Sequence, residues 1–97
     1  MKNYKDFIVN LNIAKDNAIK SGIDAIDAYN GKNALEPEEC KDDFARMLYE
    51  LHEEGKENLY EFEKAMESIK ETLDDYATES ESHPHSIEWL FYDNVPF

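Results

Sequence analysis

Leu59-Tyr60-Glu61-Phe62-Glu63-Lys64-Ala65-Met66-Glu67-Ser68-Ile69-Lys70-Glu71-Thr72-Leu73-Asp74-Asp75-Tyr76 is the stretch whose reading decides the fold. Its large apolar residues are Leu59, Phe62, Met66, Ile69, Leu73 and Tyr76, at steps of 3, 4, 3, 4 and 3. That alternation places one apolar stripe on one face of an α-helix. Asn58 stands in front as an N-cap, with Glu61 three residues on, which is the order of a capping box. The spacing predicts a helix over 59–77. The polar run 77–82 then serves as a linker.

Working outward, the same grammar recurs. Glu36-Pro37-Glu38-Glu39 opens a second helix over about 37–54, because proline is tolerated at the first helical position and acids suit the helix N-terminus. Cys40, Phe44, Met47 and Leu51 form its stripe, with Leu48 beside it and Gly55 as the stop. At the other end, Asn3 caps a segment whose stripe is Tyr4, Phe7, Leu11, Ala14 and Ala18, widened by Ile8 and Ile19. Ile23, Ile26 and Tyr29 continue the pattern to Asn30-Gly31. Ser21-Gly22 leaves two readings open, one long bent helix over 3–29 or two consecutive ones. β-Branched residues are scarce, and Ala, Leu, Glu and Lys are plentiful. The expected fold is all-α, a small bundle of three or four helices in a single domain.

The last stretch differs in kind. Residues 86–97 hold the sole tryptophan, Trp89, with Phe91, Tyr92 and Phe97, and the acids Glu88 and Asp93. This aromatic tail is either a lid packed on the bundle or an exposed anchor for a partner. A core built from three short stripes is thin for a 97-residue chain, which favours the lid. A homodimer is the other way to enlarge the core.

Composition excludes several functions. Ten basic residues face 23 acidic ones, a formal net charge of −13. Such a surface does not bind nucleic acid directly, nor an anionic membrane. No apolar run approaches the length of a membrane span. One cysteine, Cys40, excludes an intramolecular disulfide. The N-terminal segment lacks a signal-peptide pattern, so a cytoplasmic protein is expected.

The charge is segregated. Residues 1–35 carry five lysines and four aspartates, a net of +1, whereas residues 36–97 carry five basic and nineteen acidic residues, a net of −14. On the third helix Glu63, Glu67, Glu71 and Asp75 recur every fourth residue, about 6 Å apart along the axis. Glu53, Glu54 and Glu57 extend this track around the turn before it. A solvated face for solubility is the ordinary explanation of such residues. Solubility of a small domain, however, needs a net charge of only about 2–8, and the excess costs self-repulsion. The candidate partner-binding residues are therefore these seven acids, together with Trp89, Phe91, Tyr92 and Asp93 of the tail. The expected partner is a basic nucleic-acid-binding protein.

Catalytic and metal signals are sparse. His83-Pro84-His85 with Cys40 or His52 could supply zinc ligands, but nothing in the spacing joins them. Cys40 lies in an apolar stripe, where a thiol is normally inert packing. No cofactor is expected.

Two resemblances bear on function. Glu38-Glu39 with Asp42, and Glu71 with Asp74, resemble the paired carboxylate motif of all-α nucleotide pyrophosphatases of the MazG type, with Asp42 where the family has Glu. That resemblance implies Mg²⁺-dependent hydrolysis of nucleotides as an alternative. Ile87-Glu88-Trp89-Leu90-Phe91-Tyr92-Asp93-Asn94 resembles a stretch of type V anti-CRISPR proteins, and the chain is similar in size and acidity to small phage anti-defence proteins. This second resemblance implies a non-enzymatic inhibitor in the host cytoplasm that acts as a DNA mimic on a CRISPR effector or a restriction enzyme. A helical adaptor that binds through the aromatic tail is the remaining alternative.

Overall fold

A computed structural model describes residues 3–79 and Leu90. It contains α1 (Tyr4–Tyr29), α2 (Pro37–Gly55) and α3 (Leu59–Glu79), with no strand among the described residues. The molecule is an all-α bundle.

The helix ends follow local chemistry. Asn3 Oδ1 accepts the N–H of Asp6 at 2.8 Å and starts α1. At its other end the Lys32 N–H reaches the Asp27 carbonyl at 2.8 Å and the Gly31 N–H reaches that of Ala28 at 3.1 Å. These paired bonds form a Schellman motif, and Gly31 occupies its left-handed position with φ of 74°. Helix α2 starts with Pro37 in its first turn and has no side-chain cap, its cap residue Glu36 being extended as a residue before proline must be. Asn58 Oδ1 accepts the N–H of Glu61 at 3.2 Å and starts α3. Helix α3 runs two residues past the expected end, to Glu79, and Thr78 Oγ1 donates to the Asp74 carbonyl at 2.9 Å in its last turn.

Ser21-Gly22 does not divide α1, which is a single helix of 26 residues. Gly22 is buried, and a Cβ there would lie 2.5 Å from Leu73 Cδ1 and 3.1 Å from Phe44 Cε1. The glycine thus marks the point where all three helices converge, not a break. Gly55 has the same kind of role, since a Cβ there would lie 2.6 Å from Phe62 Cβ. It ends α2 without a positive φ and lets the first turn of α3 fold back closely.

Helix α1 packs against both others, more extensively against α2. Two tyrosine–carboxylate bonds tie it to α3: Tyr4 Oη donates to Glu61 Oε1 at 2.9 Å, and Tyr76 Oη donates to Asp27 Oδ1 at 2.6 Å. Each bond joins matching ends, so α1 and α3 run parallel and α2 runs antiparallel to both. The core is led by Phe44, Ile26, Leu48, Leu51, Ile69 and Leu73, all fully buried. Leu90 is also fully buried and belongs to the same cluster, so the tail packs on the bundle at that residue.

Three stripe positions are not core. Tyr4 and Leu59 are 60% and 59% exposed, and Tyr29 lies at the surface. Each is at or beside the end of its helix, where the neighbouring helix no longer covers it.

Candidate partner-binding face

Helix α3 has two faces of opposite character. Phe62, Ala65, Met66, Ile69, Leu73 and Ala77 are buried. Glu63, Glu67, Glu71 and Asp75 are all exposed. Adjacent carboxylates in this row are about 6 Å apart along the axis and turned by about 40°, so the row winds through about 120° over roughly 18 Å. None of the four joins an ion pair among the described residues. Lys64 instead places its ammonium 5.2 Å from the centre of the Tyr60 ring. Lys70 is exposed and makes no ion pair there either. The row therefore makes no direct ion pair along its length among the described residues, although Lys64 and Lys70 stand beside it.

The acids near the α2–α3 turn are placed differently. Glu53 is engaged by Lys56, whose Nζ stands 3.4 Å from Glu53 Oε2, and His52 Nδ1 lies 4.0 Å from the other oxygen. Glu54 is half-buried and Glu57 exposed. Together with Lys56 these side chains line one wall of a groove of about 690 Å³, whose other wall holds Tyr4 and Phe7 from the start of α1. The expected track thus turns into a concavity at the end of the bundle where α1 begins, α2 ends and α3 begins. Sequence reasoning missed this groove because it assigned Tyr4 to the core stripe. The signal was available in the position of Tyr4, at the very start of the helix.

Trp89, Phe91, Tyr92 and Asp93 lie outside the described residues, as do His83 and His85.

The acids of the pyrophosphatase-like pattern are exposed: Glu38, Glu39 and Asp42 on α2, Glu71 and Asp74 on α3. Among the described residues, no three side chains of His, Cys, Asp or Glu converge to hold a metal ion. Cys40 is buried, and burial raises its thiol pKa, helped by the nearby charges of Asp24, Asp43 and Glu39. A thiol so placed is protonated near neutral pH and poorly nucleophilic.

The Tyr76 hydroxyl pKa is raised by its hydrogen bond to Asp27, then by burial and the charges of Asp27 and Asp24. That of Tyr4 is raised chiefly by its bond to Glu61. Both hydroxyls stay protonated and remain donors. No helix among the described residues is long and apolar enough to cross a membrane.

No family model, curated protein or solved structure matches the chain.

Proposed function

We propose that this chain is an acidic protein-binding inhibitor that occupies a basic nucleic-acid-binding surface of its partner. The observation that carries the reading is the row Glu63, Glu67, Glu71 and Asp75, exposed and without an ion pair among the described residues. Like charges four residues apart destabilise a helix by a few tenths of a kcal/mol per pair. A row of four with no cation paired to it among the described residues is a cost that folding does not require.

The row shares its handedness with a phosphate strand. A row of every fourth residue on an α-helix winds right-handed, one turn in about 54 Å. A DNA strand winds in the same sense, one turn in roughly 34–36 Å. The carboxylates are sparser than phosphates, at about 6 Å against roughly 3.4 Å of axis per strand. Arg and Lys side chains that would grip a phosphate can pair with them. The partner is then a basic nucleic-acid-binding protein, of which a CRISPR effector or a restriction enzyme is the class to test first. Long-range attraction between the −14 segment and a basic groove speeds encounter, and salt screens it.

The test compares the wild-type chain with a variant carrying Glu→Gln at 63, 67 and 71 and Asp75→Asn. Binding is measured against a purified effector or restriction enzyme at rising salt, with duplex DNA as competitor. The expected result is displacement by DNA, loss of affinity with salt, and at least tenfold weaker binding by the variant. Equal affinity and equal salt dependence of the two chains would end the proposal.

A further inference from the structure

The groove at the end of the bundle is a different kind of site from the row on α3. It is concave, of a volume common for ligand sites, and its two walls differ. One wall carries Glu53, Glu54 and Glu57 from the α2–α3 turn. The other carries the rings of Tyr4 and Phe7, with centroids 6.0 Å apart. Phe7 packs against the core, and the Tyr4 hydroxyl is held by Glu61 at 2.9 Å. Both rings are thus fixed from behind, although Tyr4 is 60% exposed.

We infer that this groove receives an arginine side chain from the protein partner, its guanidinium against the Tyr4 ring and its N–H groups directed to Glu57. Two observations argue for that occupant. Carboxylates and aromatic rings line the same groove and match the guanidinium, which pairs with one and stacks on the other. Lys56 already holds Glu53, at 3.4 Å, and leaves the pairing to Glu57. Glu57 lines the same wall and makes no ion pair among the described residues. An ammonium has no plane to stack, so arginine is preferred to lysine. The inference rests on the proposed inhibitory function for the existence of a basic partner, and names the side chain that this end of the molecule selects.

A short end-capped tri-arginine peptide is the probe, titrated into the full chain and followed by backbone amide NMR, with tri-lysine and spermidine in parallel. Arginine should shift the amides of Tyr4, Phe7, Glu57 and Asn58, and bind severalfold more tightly than the other two probes. Tyr4→Ala and Glu57→Gln should each weaken it about threefold, a size expected of an exposed cation–π contact or ion pair. Tyr4→Phe, which keeps the ring but loses its bond to Glu61, should retain most of the binding that Tyr4→Ala loses. The row variant neutralised at 63, 67, 71 and 75 should keep the groove shifts. Equal binding of all three probes overturns the inference, as do arginine shifts confined to α3 or an unaltered affinity in both Tyr4→Ala and Glu57→Gln. Loss of effector binding in the row variant with no groove shifts in the wild type would sink the groove alone. Groove shifts without effector binding would sink the function alone.

Discussion

The inner and outer faces of α3 obey different rules. The inner face is set by packing: Ile69 and Leu73 are fully buried, and Leu73 fills the space that Gly22 leaves open. Every residue there has a neighbour that would be disturbed by its loss. The outer face holds four carboxylates with no cation joined to them among the described residues. The same backbone thus carries one surface that stabilises the fold and one that weakens it. A surface kept at a cost to stability is where a function is sought, because folding alone would favour mixed charges there.

The contrast is sharpest for Leu73→Ala, which leaves a cavity where three helices meet and should cost about 2–5 kcal/mol. Chemical denaturation should show that loss, while affinity for a basic partner stays unchanged for the folded fraction. Gly22→Ala comes next. Its helix-propensity gain of about 1 kcal/mol is outweighed, because Leu73 and Phe44 are both fully buried and have little room to yield. A net loss of about 1–2 kcal/mol is expected from overpacking. In a Leu73→Ala background the loss should shrink or reverse, which a double-mutant cycle would detect.

On the outer face the signs invert. Replacing Glu63, Glu67, Glu71 and Asp75 by their amides removes three like-charge pairs and should stabilise the chain by about 1 kcal/mol. Binding should fall at the same time. Moderate salt should likewise raise the melting temperature of the wild type and do so less for this variant.

The smallest effect concerns Tyr76. Its hydroxyl keeps its proton more firmly in the folded chain than in the unfolded one, because it donates to Asp27. The stability this provides is fully present below the ordinary tyrosine pKa of about 10, and is lost as pH rises through the higher folded value. Unfolding measured from pH 8 to 11 should show this decline, and Tyr76→Phe should flatten it. The bond itself should be worth roughly 1 kcal/mol at neutral pH.

Much of the bundle was legible because helix signals are local. The 3-4 alternation from Phe62 to Leu73 predicted the buried face, and Asn3 and Asn58 cap as their positions foretold. The exposed row was equally legible, since residues four apart share a face in any α-helix. Gly22 was ambiguous for the opposite reason. A glycine within a helical pattern can end the helix or admit a neighbour, and only the nearness of Leu73 and Phe44 separates the two. Tyr4 and Leu59 fit the stripe by period, yet periodicity carries no information about where a neighbouring helix stops covering it.

By itself the sequence determined an all-α chain of three or four helices, their N-terminal caps, most of their apolar faces and the segregation of charge, because each depends on residues within a few turns of one another. Tertiary structure decided that α1 is continuous, that α1 and α3 run parallel under two tyrosine–carboxylate ties, and that Tyr4 meets Glu53, Glu54 and Glu57 across a groove. Those pairs lie about fifty residues apart in the chain, and no local rule brings such residues together. Only the packing of one helix upon another does.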